Sequence, residues 1–257
     1  MEVHHPHHPT HNKKWAEYLL EFLMLFFAVF LGFLSENYFE YRVERHKEHD
    51  YLASMVKDLQ LDTADMNYKI KNMTMLIDTA EAISHVLTKK DITRHDAYRI
   101  YNDAIFLETK DCFLQFANGT IDQLRNAGGF RVILNKEINN KIKDYIVEQG
   151  RLSLQAELFR TEWTNSKHQK LNLLHTYIYI SNWKDFNNLV IKVDETSLDQ
   201  IKNSTGNYFL SSDRKDLLKY ANSIRSQNGY LQVYKIITKS QIQKATELIK
   251  LIQEEIK

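Results

Sequence analysis

The chain has 257 residues, with 34 Lys and Arg against 33 Asp and Glu, a formal net charge of +1, and 43% hydrophobic residues. That balance gives no global field for nucleic acid, and one cysteine, Cys112, excludes an internal disulfide framework or a cysteine-based zinc cluster. Seven Gly and two Pro, the prolines both within the first nine residues, exclude collagen-like, linker-rich and turn-dense β architectures, so an all-α fold is expected.

The chain opens with MEVHHPHHPTHN, a flexible tail over residues 1–14. Its imidazoles, His4, His5, His7, His8 and His11, are a weak metal candidate, because clustered neutral histidines bind Zn, Ni or Cu; a plain solvated arm is the favoured reading, with no metal or other cofactor expected.

A mean hydropathy of -0.47 hides the next segment. Residues 19–34 read LLEFLMLFFAVFLGFL, with Glu21 as the one charge, and aromatic residues flank them: Trp15 and Tyr18 before, Tyr38, Phe39 and Tyr41 after. Residues 15–38 as a helix cover about 34 Å at ~1.5 Å per residue, matching a hydrocarbon core of ~30 Å with its interfaces. No small-x-small cleavage pattern follows the apolar run, so an uncleaved single transmembrane helix is expected rather than a signal peptide. Lys13 and Lys14 precede the span, whereas Glu36 and Glu40 come before Arg42, Arg45 and Lys47 after it. The positive-inside rule then favours an inner-membrane protein with its short tail in the cytoplasm and its C-terminal domain in the periplasm; the near-equal counts leave the opposite orientation open.

At ~100° per residue, Glu17, Glu21, Ala28, Gly32 and Ser35 fall within about 40° of one line along the span. Ala28-xxx-Gly32 is a small-xxx-small pair, which lets a second helix approach closely, and a carboxyl on the same stripe is better placed facing a partner than facing lipid. Snorkelling of Glu21 to the interface is the alternative.

Residues 39–51 form a charged stalk, in which His46 and His49 share a helix face as solvated histidines. From Ser35 to Leu87 there is no Gly or Pro, so the span is expected to continue into a long juxtamembrane helix. Leu52, Val56, Leu59, Thr63, Met66, Ile70, Met73, Ile77, Ala80, Ser84 and Leu87 recur in steps of four and three, the seam of a helix packed on other helices. Lys89-Lys90-Asp91 ends that helix. A second helix is expected over 92–116, carrying Tyr98, Tyr101, Ile105, Cys112 and Phe113. Thr120 with Gln123 has the form of a capping box opening a short helix that stops at Ala127-Gly128-Gly129. Asn135 caps a helix over 136–172 with Gly150 as a weak point. Residues 173–212 are the least regular: LLHTYIYISNW fits helix or strand, and a loop with a short helix follows. Ser211 or Ser212 caps a last helix to Lys257, with a seam of Ile242, Ala245, Ile249, Ile252 and Ile256. The product is a helical bundle domain over 52–257, antiparallel and built on about four long helices.

The run KKWAEYLLEFLMLFFAVFLGFLSEN at 13–37, YRVERHKEHDYLASMVKDLQLDT at 41–63 and TIDQLRNAGGFRVILNKEINNKIKDY at 120–145 resemble a family of single-span membrane proteins of Bacteroidota with a His-rich start. The resemblance covers residues 1–65 and 116–146 and is loose elsewhere. It implies a bitopic helical protein and, since the family has no established activity, transfers no site residues.

No P-loop, GxGxxG, GxSxG, HExxH or CxxC occurs, and Asp58/Asp62 and Glu254/Glu255 read as solvated helix faces. The 14 Tyr are expected in an aromatic core, with a ligand groove as the alternative. The expectation is therefore a non-enzymatic interaction or scaffolding protein, an accessory subunit of a larger envelope complex. Its partners would be the lipid bilayer and other membrane-protein subunits or further copies of itself. A sensory or ligand-binding bundle that signals through a partner is the alternative.

Overall fold

The computed structural model describes residues 15–126, 130–178, 180–183, 189–211 and 213–257. The fold is all-α. Helix α1 (Trp15–Leu87) is followed by α2 (Arg94–Thr109), α3 (Gly119–Asn126), α4 (Lys136–Leu173), α5 (Glu195–Thr205) and α6 (Arg214–Glu255). A two-stranded antiparallel hairpin, β1 (Ile180–Trp183) with β2 (Leu189–Lys192), is the one departure, pairing Ile180 with Lys192 and Trp183 with Leu189. The segment that fitted helix or strand thus ends as strand at Ile180. The chain divides into two compact units, residues 1–51 and 52–257.

Within residues 52–257, α1 presents a face broader than a single seam. Leu52, Val56, Leu59, Met66, Met73, Ile77, Ala80, Ser84 and Leu87 are buried as the spacing predicts, but Thr63 and Ile70 are only half-buried. Met55, Leu76, Ile83 and Val86 are buried beside them. Two adjacent apolar ridges of this kind suit a helix embedded in an intramolecular bundle, not the narrow stripe of a coiled coil. The C-terminus of α1 is closed by a cation: the Arg214 guanidinium donates to the carbonyl oxygens of Leu87, Thr88 and Lys89. These are carbonyls a helix end leaves without partners.

The three long helices of this unit are the second half of α1, α4 and α6; α2 has 16 residues, so the expected four long helices reduce to three and a shorter one. Helices α4 and α6 run antiparallel. Lys141 donates to Glu247 at 3.1 Å, Gln241 to the Tyr145 carbonyl at 3.1 Å, Lys244 to Glu148 at 2.8 Å, Gln155 to the Tyr230 carbonyl at 3.0 Å and Ser226 to Glu162 at 2.8 Å. Residue numbers climb on one helix as they fall on the other. Asn135 caps α4 through the Glu137 and Ile138 N–H groups, and the helix continues through Gly150.

Two boundaries and one buried face differ from the sequence expectation. The cap of α6 is Asp213, whose side chain accepts from the Lys215 N–H; the Ser211 hydroxyl instead donates to Asp216, and Ser212 lies outside the described residues. All three residues are good cap formers, so composition alone does not select among them. Along α6 the buried line is Thr238, Gln241, Ala245, Leu248 and Ile252, with Ile242, Ile249 and Ile256 turned to its edge. Helix α2 stops at Thr109, not at Phe116, and Cys112 and Phe113 belong to an extended segment, for a reason supplied by α1.

Candidate functional site

The transmembrane candidate is contained in residues 1–51. Its best 18-residue window has a mean hydropathy of 2.1 and none of it is buried, and among the described residues this is one helix that is long and apolar enough to cross a membrane. Glu17, Glu21, Ala28, Gly32 and Ser35 are all exposed, and a Cβ built on Gly32 meets no atom within 4 Å. Phe22, Phe26 and Phe30 stack in sequence at 6.3 and 5.9 Å between ring centroids. At ~100° per residue this ladder stands about 100–180° round the helix from Glu21. This helix therefore has one aromatic side and one small and polar side. The His-rich tail candidates, His4, His5, His7, His8 and His11, lie outside the described residues. Downstream, His46 and His49 both sit beside Asp50, at 3.6 and 3.7 Å, on exposed helix surface.

The polar centre of residues 52–257 is one the spacing argument missed. Asp58, Asp62 and Asp65 lie along α1 next to the buried ridge, and they hold the extended segment 110–118 by its main chain. Asp65 accepts from the Gln115 N–H at 3.3 Å, Asp62 from the Ala117 N–H at 2.6 Å and Asp58 from the Thr120 N–H at 2.9 Å. One turn further along, Asn72 donates to the Asp111 carbonyl at 2.7 Å and Lys69 pairs with the Asp111 carboxylate. This ladder explains the early end of α2: the helical spacing through Phe113 continues, but the backbone donors of 115 and 117 find carboxylates on α1 instead of carbonyls four residues back. It also corrects the cap of α3, which begins at Gly119 with Asp58, not the Thr120 hydroxyl, taking the free N–H. The 4-3 spacing of the three aspartates beside Leu59 and Met66 was the available signal; a solvated face shows the same spacing.

Asp62 is the most enclosed member. It is buried and also accepts from the Tyr145 hydroxyl at 2.6 Å. Burial raises its pKa, opposed by the Ala117 N–H and the Tyr145 hydroxyl, while Asp58 and Asp65 push it further up. Tyr145 is raised too, by burial first and by Asp62 second, so the pair holds its proton on the phenol. Beside it, the Tyr234 hydroxyl accepts from the Leu114 N–H at 3.1 Å, and burial lifts its pKa to about 12. Tyr101, Tyr145, Tyr220 and Tyr234 are all deeply buried, as an aromatic core requires.

Cys112 is buried, and burial pushes its thiol up to about 12, which suits an inert side chain and not a nucleophile. Two further enclosed ionic contacts are Lys170 with Glu108 at 2.6 Å, and Glu148 between Lys244 at 2.8 Å and Arg151 at 3.1 Å; the second Glu108 oxygen is buried without a hydrogen-bond partner. His175 is enclosed near Tyr177, with ring centroids 5.5 Å apart, and burial lowers its pKa. Two clefts of about 210 and 200 Å³ flank Phe113. The first is lined by Leu114, Leu152 and Arg160, the second by Leu76, Phe159 and Trp163; Arg160 lies over the Phe113 ring at 4.2 Å. Among the described residues no group of three or more His, Cys, Asp or Glu is placed to hold a metal ion. Among the enclosed carboxylates, Asp62 accepts from a main-chain N–H and a phenol, and Glu148 from two cations, while Glu108 borders the second cleft. Comparisons with protein-family models, with curated proteins and with solved structures returned no match.

Proposed function

We propose that this is a membrane-anchored interaction or scaffolding protein, an accessory subunit of a larger envelope complex. Residues 15–38 cross the bilayer, and Glu17, Glu21, Ala28, Gly32 and Ser35 meet a helix of another membrane protein or of a second copy. The tail before the span lies in the cytoplasm and the bundle in the periplasm, at the inner membrane. The observation that carries the reading is the two-sided span: the Phe22–Phe26–Phe30 ladder on one side, and an open Gly32 in line with Glu21 and Ala28 on the other. Small residues allow close backbone contact, and a carboxyl facing hydrocarbon is unfavourable, so both features are relieved by the same neighbour. No reaction is proposed.

Crosslinking in native membranes tests this. Gly32→Cys should give a stoichiometric adduct identifiable by mass spectrometry, and Phe26→Cys, on the aromatic side, should not. Equal labelling at both positions, or none at Gly32→Cys, would sink the proposal. The second reading, a ligand-sensing bundle, draws on the two clefts beside Phe113. It predicts a small apolar ligand that raises the melting temperature of the full chain, and that Trp163→Ala abolishes the rise.

A further inference from the structure

The bundle carries an exposed apolar strip of its own. Val147, Leu154 and Leu158 on α4, and Tyr230, Val233 and Ile236 on α6, are 36–66% exposed although they sit in the middle of the two longest helices of residues 88–257. The α4/α6 bonds place them together. Gln155 reaches the Tyr230 carbonyl and Glu148 meets Lys244, so Leu154 and Leu158 stand level with Tyr230 and Val233. Round each helix, at ~100° per residue, both rows turn away from the core residues Leu152 and Leu231 and toward the same outer groove. Each helix also has one glycine, Gly150 and Gly229, on this outward side, and a Cβ added at either would meet nothing within 4 Å. A glycine inside a helix costs about 1 kcal/mol relative to alanine. No neighbour within the chain requires either one, whereas close approach of an external helix would.

We propose that this strip is a self-association surface, and that its occupant is the same strip of a second copy. The α6 row, Tyr230 to Ile236, is shorter than the α4 row, Val147 to Leu158, and lies level with its middle. A twofold axis along the α4/α6 pair therefore sets the α4 row of one copy against the α6 row of the other, antiparallel and in register, which is the self-complementarity an isologous interface needs. Size supports the same occupant. At these exposures the six side chains present about 500 Å² of apolar surface, near the top of the ~300–600 Å² expected for the largest patch on a monomer. Facing itself, the strip would bury about 1,000 Å², the lower bound for a specific interface. The surface belongs to residues 52–257 alone and does not depend on the transmembrane stripe.

The test uses the full-length chain in detergent and in nanodiscs. Mass photometry should find a dimer for the unaltered protein, and Leu154→Asp with Val233→Asp should weaken it at least about tenfold. Gly32→Leu should leave the dimer in place. Because both altered positions are exposed, helicity and melting temperature of the double variant should stay close to the parent; a fall in both would shift the weight to a second measurement. In it, a chain carrying Leu154→Cys is mixed with a chain carrying Val233→Cys under mild oxidation. A disulfide-linked species of twice the 30.5 kDa chain is expected in the mixture and in neither chain alone, which assigns the bond to α4 of one copy and α6 of the other. A monomer at all concentrations overturns the proposal. So does a dimer that Gly32→Leu abolishes and the aspartate pair does not, or a mixture that yields no crosslink.

Discussion

Replacing Asp62 with alanine is the sharpest perturbation of the bundle. The carboxylate accepts from the part-buried Ala117 N–H at 2.6 Å and the buried Tyr145 hydroxyl at 2.6 Å. Each buried donor left without a partner costs about 1–3 kcal/mol. Part of this is returned because the carboxylate itself is costly to bury, as its raised pKa records. The net expectation is a loss of about 3 kcal/mol, or a melting temperature lower by about 6–12 °C for a unit of this size. Asp62→Asn keeps an acceptor for Ala117 and should lose only about 1 kcal/mol. Acidity separates the two effects. Since the folded-state pKa lies above the ordinary value of 3.8, the folded protein binds the proton more tightly than the unfolded one. Its contribution is thus fully favourable below the unfolded value and is lost as pH rises through the folded one. The deficit of Asp62→Asn relative to the parent should therefore grow as pH falls toward that value and shrink toward neutrality. Thermal unfolding by circular dichroism, with amide exchange of residues 111–120, reads both. An alanine variant within 1 °C of the parent, with unchanged protection at Ala117, would refute the reasoning.

Four other outcomes follow from the same contacts. Arg214→Ala removes the cation over the Leu87, Thr88 and Lys89 carbonyls at the end of α1 and should cost about 1–2 kcal/mol in urea unfolding, with α1 fraying first by amide exchange near Leu87. Asp96, held at about 2 chiefly by Lys89, should show the opposite pH sign to Asp62. Asp96→Asn is destabilising above the ordinary carboxylate value and the difference closes as pH falls from about 4 toward 2. Asn135→Ala should cost about 1 kcal/mol, the usual value of an N-cap, because it frees the Glu137 and Ile138 N–H groups. Cys112 should react with a disulfide reagent at pH 8 only at the rate of opening of the fold, and at once when urea is added; prompt labelling of the folded chain would contradict its burial.

The elements that were readable in the sequence are those governed by neighbours close in the chain. Leu87 as the end of α1, Asn135 as a cap and the buried line through Leu52, Leu59, Met66 and Met73 all follow from local spacing and local hydrogen bonding. The end of α2 did not, because its competitor is 50 residues away: Asp62 and Asp65 draw the donors of Ala117 and Gln115 out of the helix. Asp58 displaced the Thr120 cap for the same reason. The Glu17–Ser35 stripe was legible as a phase along one helix, whereas the outer strip of α4 and α6 was not. Val147, Leu154 and Leu158 belong to a surface only once the register with Tyr230 and Val233 is known.

The aspartate ladder also sets which changes the extended segment can absorb. Its anchoring bonds are made by the main chain of Gln115, Ala117 and Thr120, so the side chains at 115 and 117 can be exchanged without breaking them, while Asp58, Asp62 and Asp65 cannot. Proline alone is barred from all three donor positions, because it brings no N–H. Variation in this protein should therefore fall unevenly, permitted at 115 and 117 and refused on the helix that holds them, while Phe116 against the core and Asn118 with Gln149 keep the segment on one fixed path.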